Sequence, residues 1–320
     1  MKRPCTSTIL ALAVFFAFIS SARGALTLQS YNATQHDRFA NNPAFIGNGQ
    51  DWSGVGRSNI AGATTQSYSW VTLISPSFGL SAWHLRPSVG GTASFFGSND
   101  PAVAPVTRNV VATTRIAGSD LALVQLSSAA TGVNFYPVLD LPSSADYAGL
   151  ELRTFGLSNT AIAQTPANFT DPAVVNSHLT NVRMGRNNID AVVPNFSDPQ
   201  LNGSGDVIVF DFDATGGLGA DEALVESGDS GSSTFVLTSG GPAIVGIHWF
   251  RYSAGAFLGD ATSGSGDTFV PSFVADLDLA MAATGSSERV TSITAVPEPG
   301  SLVLVACSAT CLLTWRRRRR

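Results

Sequence analysis

One serine hydroxyl lies in a glycine-flanked loop that could position it as a nucleophile. The loop reads Gly228-Asp229-Ser230-Gly231 and separates two β-rich runs. Glycines let the backbone turn sharply and approach a bound group closely. Such a loop can direct its N–H groups toward a point beside Ser230 Oγ, which suits a nucleophile whose attack creates an oxyanion. The same residue types also form ordinary turns between strands, so the interpretation depends on partners elsewhere in the chain.

A histidine follows the first strongly apolar pair of predicted strands. The pattern predicts strands at Trp70–Ile74 and Phe78–Ala82, joined by a turn at residues 75–77, and His84 comes two residues later. A histidine in such a place is most often packed and hydrogen-bonded. Because imidazole changes protonation near neutral pH, His84 is also a candidate general base.

A carboxylate opens the next apolar strand. Asp120 directly precedes the run Leu121–Leu126. An aspartate at a strand edge usually belongs to a turn. It can also be a buried carboxylate that orients a histidine and stabilises the cationic imidazole.

Other titratable residues are predicted to have no catalytic role. We expect His36 and Asp37 to lie on the surface. The second half of the chain carries a group of acidic residues whose spacing matches no calcium-binding loop, so we expect solvated acidic loops there. That group consists of Asp211, Asp213, Asp221 and Glu222.

Composition favours a globular all-β protein. Hydrophobic residues make up 44% of the 320 residues and charged residues 13%, and the 31 glycines separate short β-branched runs. Between residues 25 and 295 there are 10 arginines and 22 acidic residues, a formal net charge of −12. This acidic balance argues against nucleic-acid binding. The only cysteines are Cys5, Cys307 and Cys311, so residues 25–295 hold neither a disulfide nor a cysteine metal site, and we predict no metal and no cofactor.

Both ends of the chain resemble sorting segments. Residues 1–24 combine a basic start, an apolar run too short to span a bilayer, and small residues near a cleavage point, which predicts a signal peptide. Residues 284–320 contain a linker, the box Val296-Pro-Glu-Pro, an apolar run and five arginines. This order resembles the PEP-CTERM sorting signal of Gram-negative bacteria; an ordinary C-terminal membrane anchor is the alternative.

The tail's resemblance implies a destination and a partner. An exosortase-type enzyme would remove the tail, after the C-terminal segment has held the protein at the membrane. The protein would then be exported to the cell envelope or the extracellular matrix.

The order His84, Asp120, Ser230 resembles that of the chymotrypsin-like (trypsin-fold) serine proteases. Three segments are similar to that family's sequence boxes: residues 80–84, Ser119-Asp-Leu-Ala-Leu-Val, and Gly228-Asp-Ser-Gly. The resemblance implies two antiparallel β-barrels, at about residues 50–135 and 145–283, within a protease domain at 25–283 that ends in a short helix. It also implies a Ser230–His84–Asp120 triad acting on a protein or peptide substrate, with the backbone N–H groups of Gly228 and Ser230 as the oxyanion hole.

Several residues depart from the family's pattern. Trp83 stands where the family has a small residue before the histidine, and Ser232-Ser233 stand where it has Gly-Pro after the serine box. The family's N-terminal activation motif is missing. Leu224, His248 and Trp249 occupy the positions that the resemblance assigns to the substrate pocket. These residues predict a preference for apolar or small side chains.

Two alternatives compete with a protease. An α/β-hydrolase requires Gly-x-Ser-x-Gly and then an acid followed by a histidine, whereas Ser232 breaks that box and His248 precedes Asp260 and Asp267. A catalytically inactive trypsin-fold protein that binds at a surface or in a matrix remains open, because of the departures at Trp83 and Ser232.

Overall fold

The computed structural model describes residues 24–61, 66–213, 217–257 and 262–294. The predicted signal peptide, apart from Gly24, and the predicted PEP-CTERM segment therefore lie outside the described residues. Within the described ranges, no helix has the length and apolar character needed to cross a membrane.

The N-terminal segment lies along the second half of the chain. It contains a two-residue strand, β1 (Thr27–Leu28), a short helix, α1 (Ala33–His36), and a 3₁₀ turn at Arg38–Ala40. Strand β1 pairs with residues 223–224, and Leu26 N donates to Leu157 O at 3.0 Å. This segment therefore adds backbone pairing to the region that carries the Ser230 loop.

Residues 55–126 form a closed antiparallel barrel of six strands. The strands are β2 (Val55–Ala61), β3 (Gln66–Ser67), β4 (Trp70–Ser75), β5 (Phe78–Ala82), β6 (Thr92–Phe95), β7 (Val106–Arg115) and β8 (Leu121–Leu126). Their order around the barrel is β2-β4-β5-β8-β7-β6, and β6 returns to pair with β2, so the barrel has no free edge. Strand β3 pairs with the end of β2. The prediction of strands at Trp70–Ile74 and Phe78–Ala82 is confirmed.

The second half forms a larger sheet with the path β11-β10-β15-β16-β17-β13-β12, joined at one side by β9 and β18. Its members are β9 (Val138–Leu139), β10 (Glu151–Gly156), β11 (Arg183–Asn188), β12 (Ala191–Asp198), β13 (Gly203–Asp211), β15 (Ser233–Thr238), β16 (Gly241–Tyr252), β17 (Gly264–Phe269) and β18 (Ser292–Ile293); β14 (Ala223–Leu224) pairs with β1 instead. Helix α2 (Pro172–Leu179) precedes β11, and α3 (Val274–Ala283) follows a 3₁₀ turn at Val270–Phe273.

A single apolar cluster joins the two halves. Trp52 packs edge to face against Phe155 and Phe235, with ring centroids 5.2 and 5.3 Å apart, and Leu277 and Met281 of α3 belong to the same cluster. Burial of apolar surface between the barrel and the larger sheet fixes their relative position. The predicted all-β class with a short C-terminal helix is confirmed, and the first barrel is closed as expected.

Local sequence pattern is a poor guide in two parts of the second half. The apolar run at Asn188–Val193 is typical of one strand, but it is interrupted at residues 189–190, between β11 and β12. Residues 128–150 contain prolines and small polar residues typical of a linker, yet they pack onto the larger sheet: Tyr147 is 1% exposed, and its hydroxyl donates a hydrogen bond to Leu139 O.

His36 and Asp37, expected on the surface, are buried. His36 Nδ1 accepts from Asn32 N and its Nε2 lies 3.0 Å from Asp221, while Asp37 pairs with Arg183 at 3.2 Å. The N-terminal segment has little periodicity, so the sequence gives no sign that it folds back onto polar residues that follow it by 146 and 185 positions.

Candidate active site

Strand pairing brings His84 and Asp120 together. Strands β5 and β8 are antiparallel neighbours, and Ala82 pairs with Leu121. One residue further, Trp83 N donates to Asp120 O at 2.7 Å. His84 and Asp120, which are 36 positions apart in the sequence, therefore lie side by side at one end of the barrel.

The aspartate holds the histidine through two hydrogen bonds. Asp120 is fully buried; its Oδ1 accepts from His84 N at 3.0 Å and its Oδ2 lies 2.7 Å from His84 Nδ1. Because a carboxylate only accepts, Nδ1 carries the proton and Nε2 keeps a lone pair. The His84 side chain is 20% exposed, so this ring nitrogen lies where a ligand can reach it. The pair has the donor geometry that a general base needs.

The Ser230 loop lies between β14 and β15 and is held by the neighbouring strands. Gly231 N donates to His248 O at 3.0 Å, and His248 N donates to Ser232 O at 2.9 Å. Ser232 Oγ donates to Phe155 O at 2.6 Å. The loop is therefore attached on both sides to the larger sheet, and the Ser230 side chain is left partly exposed.

Gly231 places this loop against the barrel. Its φ is 86°, in the left-handed region, and a Cβ there would lie 2.8 Å from Ser81 Oγ and 2.9 Å from Ala82 N. Only glycine permits this approach without displacement. The loop therefore meets β5 two residues before His84, at the junction of barrel and sheet.

The expected hydrogen bond between Ser230 and His84 is not formed. Among the described residues, no hydrogen bond joins Ser230 Oγ to His84, whereas the His84–Asp120 half of the predicted triad is complete. Such nucleophile–base contacts are often long in ligand-free enzymes.

Two backbone donors of the loop have no acceptor. Within the described part of the chain, neither Gly228 N nor Ser230 N donates a hydrogen bond to the protein. Gly228 is buried and Ser230 is partly exposed, so two unused backbone donors lie beside one hydroxyl at a place that a ligand can approach. Trp70 supports the loop from the barrel, because its Nε1 donates to Gly228 O at 3.2 Å.

Asp229, next to Ser230, is a fully buried carboxyl. Burial raises its pKa to about 7, although N–H groups of Leu157 and Glu226 donate to the two carboxylate oxygens and act in the lowering direction. These two hydrogen bonds hold the Asp229 side chain in place within the loop. No local sequence pattern predicts this raised pKa, because it arises from burial.

The three residues predicted to line a substrate pocket are packed. Leu224, His248 and Trp249 are 4%, 0% and 2% exposed. Trp249 belongs to an apolar cluster with Phe250, and a Cβ on Gly203 would lie 2.6 Å from its ring. All three side chains are therefore almost completely buried, which leaves little of their surface for contact with a substrate side chain.

His248 belongs to a buried polar network that sequence reasoning missed. Its Nδ1 lies 2.5 Å from Asp267 Oδ1 and its Nε2 lies 2.6 Å from Thr154 Oγ1. Thr234 Oγ1 donates to Asp267 Oδ2 at 2.5 Å. The sequence signal for this network was Asp267 in the glycine-rich strand β17. A carboxylate buried in a central strand needs a hydrogen-bond partner.

The predicted solvated acidic loops are only partly exposed. Glu222 is 1% exposed, and burial raises its pKa to about 7; Asp221 pairs with Arg186. Among the described residues, no three histidine, cysteine or acidic side chains are grouped so that they could hold a metal ion.

The chain matches no known protein-family model, and none of the curated proteins matches it. The chemical interpretation of the site therefore depends on its geometry and on the resemblance of the sequence boxes.

Proposed function

We propose that the protein is a serine endopeptidase in which Ser230 attacks a peptide carbonyl. His84 Nε2 takes the Ser230 proton and later gives it to the leaving amine, while Asp120 stabilises the imidazolium. The N–H groups of Gly228 and Ser230 donate to the oxyanion. The observation that carries the proposal is the buried Asp120 carboxylate bonded to Nδ1 of a partly exposed His84, beside the docking point of the Ser230 loop.

We further infer that the larger sheet is the second barrel of a trypsin-like domain. Strands β11 and β12 lie at the two ends of its path, yet only Ile189 and Asp190 separate them along the chain. Asp190 N donates to Val209 O, which leads β12 onto β13. Taken as one bent strand, residues 183–198 join the two ends of the sheet.

The sequence of the two termini supports export. We propose that residues 1–24 direct secretion and that the PEP-CTERM segment, which begins at Val296 after strand β18, delivers the protein to an exosortase-type enzyme at the membrane. The protease domain at 25–283 would then act on protein or peptide substrates in the cell envelope or the extracellular matrix of a Gram-negative bacterium.

A second candidate is a catalytically inactive surface or matrix binding protein with the same fold. The missing Ser230–His84 hydrogen bond and the packed Leu224, His248 and Trp249 side chains favour it. This candidate predicts a folded protein whose serine does not react.

A fluorophosphonate probe separates the two candidates. At pH 7–8 the protease should be labelled on Ser230, and both Ser230→Ala and His84→Ala should remove the labelling. Ser227→Ala is the matched control, since Ser227 is an exposed hydroxyl in the same loop, and it should keep the labelling. Folded wild-type protein that remains unlabelled would favour the binding protein.

A further inference from the structure

A cavity of about 460 Å³ lies away from the predicted substrate pocket. It opens between strands β2–β3 of the barrel and the chain that follows β10, including the end of α2. Its volume is in the range of small-molecule and peptide side-chain sites. The lining combines one arginine with amide, hydroxyl and aromatic side chains: Arg57, Gln66, Tyr68, Ser158, Gln164 and Asn181 among others.

The lining is positively charged and rich in donors. Arg57 contributes a guanidinium group, and no carboxylate occurs among the described residues that line the cavity. Arg57 is 2% exposed, its Cζ lies 4.3 Å from the ring centroid of Trp70, and its Nη1 donates to Asn181 O at 3.5 Å. A fixed guanidinium presents a planar fork of donors that matches a carboxylate.

A buried hydroxyl in the same lining has no partner. Ser158 is 4% exposed, and its Oγ makes no hydrogen bond in the described structure. Buried polar atoms without partners are costly and uncommon. Because Ser158 lines the cavity, rotation of its side chain would let a bound acceptor satisfy this hydroxyl.

One wall of the cavity is flat and held in place. The rings of Tyr68 and His178 stack with centroids 4.6 Å apart and an interplanar angle of 5°. Gln164 Nε2 donates to Tyr68 OH at 3.0 Å, and His178 Nε2 lies 2.9 Å from Ile162 O. A rigid aromatic wall beside amide side chains suits a planar peptide group.

We propose that this cavity binds the carboxylate of a short peptide, with Arg57 and Ser158 donating to the carboxylate oxygens. The carboxylate could belong to a chain terminus or to an aspartate or glutamate side chain. The aromatic wall and the volume favour a peptide over an inorganic anion. This site does not depend on Ser230 being a nucleophile.

The cavity also contacts the Ser230 loop indirectly. Leu157 lines it, and Leu157 N donates to Asp229 Oδ1; Trp70, beneath Arg57, donates to Gly228 O. Two hydrogen bonds therefore connect residues at or beneath the cavity lining to Asp229 and Gly228 of the Ser230 loop.

Calorimetric titration of the whole chain carrying Ser230→Ala tests the proposal without cleavage of the probe. The probes are acetyl-Ala-Ala with a free carboxylate, acetyl-Ala-Glu-amide, acetyl-Ala-Ala-amide and inorganic phosphate. At least one of the two carboxylate peptides should bind about tenfold or more tightly than the uncharged amide, because charge-assisted hydrogen bonds are lost in the amide. Which of the two binds identifies the source of the carboxylate.

Two further variants keep the result interpretable. Ser158→Ala should weaken carboxylate binding several-fold without lowering thermal stability, and Arg57→Lys should weaken it about tenfold. Ser75→Ala is the matched control, since Ser75 Oγ is also buried without a partner but lies outside the cavity lining; it should leave binding unchanged. Equal binding of acid and amide, phosphate binding as tight as that of the peptides, or unchanged binding in Ser158→Ala would overturn the proposal.

Discussion

At the scale of single residues, the site consists of one completed hydrogen-bonded pair and one hydroxyl beside it. Asp120 supplies two acceptors to His84, one for the backbone N–H and one for the ring. This double attachment fixes both the position and the tautomer of the imidazole. The hydroxyl of Ser230 is placed by its loop rather than by a bond to that ring.

Asp120→Asn tests whether the tautomer matters. An amide Oδ1 can still accept from His84 N, so the fold should be retained, but an amide nitrogen facing Nδ1 would favour the wrong tautomer. If the protein is a protease, the rate of fluorophosphonate labelling should fall by about 10³–10⁴-fold. The rate is measured by time-resolved labelling, with the circular dichroism spectrum as the fold control. An unchanged rate would contradict the role given to Asp120.

Asp229 makes stability depend on pH. Its pKa is about 7 in the folded chain and about 4 when unfolded. Between these values only the folded chain holds the proton, so this stabilising contribution is complete below about pH 4 and is lost as the pH rises through about 7. Urea unfolding is measured at pH 5 and pH 8. The unfolding free energy of the wild type minus that of Asp229→Asn should be more positive at pH 5 than at pH 8, by about 1–3 kcal/mol.

Glu222, whose pKa is raised in the same direction, is present in both proteins and cancels in this comparison. A stability difference that is the same at both pH values would show that Asp229 does not hold its proton in the folded chain.

At the scale of elements, the site depends on contact between a loop of the larger sheet and a strand of the barrel. Gly231 approaches the end of β5 so closely that a side chain would overlap Ser81 and Ala82. Strand β5 then continues to His84. The distance between Ser230 and His84 is therefore set by the packing of β5 against one loop.

Gly231→Ala should separate the loop from β5. The new Cβ would meet backbone at 2.9 Å and would also force alanine to adopt a φ of 86°. We expect a loss of about 2–4 kcal/mol of unfolding free energy and strongly reduced labelling of Ser230. The loss is measured by urea unfolding.

Gly90→Ala is the matched control for this change. Gly90 has a φ of 88°, but a Cβ there would meet nothing within 4 Å. It should lose only about 1 kcal/mol, through backbone strain, and keep the labelling. Equal losses in the two variants would contradict the close approach of Gly231.

At the scale of the whole molecule, the N-terminal segment stabilises the larger sheet through a buried ion pair. Arg183 pairs with Asp37, donates from Nη1 to Leu26 O, and stacks over the ring of Tyr31 at 3.7 Å. Asp37→Ala would leave this guanidinium buried without its carboxylate. We expect a loss of about 3–5 kcal/mol of unfolding free energy.

Asp276→Ala provides the comparison, because Asp276 is exposed on α3 and its loss should change stability by about 0.5 kcal/mol. Urea unfolding of both variants measures the two losses. Similar small losses in the two variants would show that the N-terminal segment contributes little to the stability of the sheet.

The sequence by itself determined the β class, the strands that lead to His84 and the order of the three candidate residues. Strong local signals were available for these: apolar alternation, a proline turn, and glycines around one serine. Tertiary structure alone decided that His36 and Asp37 are buried, that His248 pairs with Asp267, and that Leu224 and Trp249 are almost completely buried. These outcomes arise from contacts between residues far apart in the chain. Burial and hydrogen bonding in such contacts produce no periodicity or motif in the local sequence.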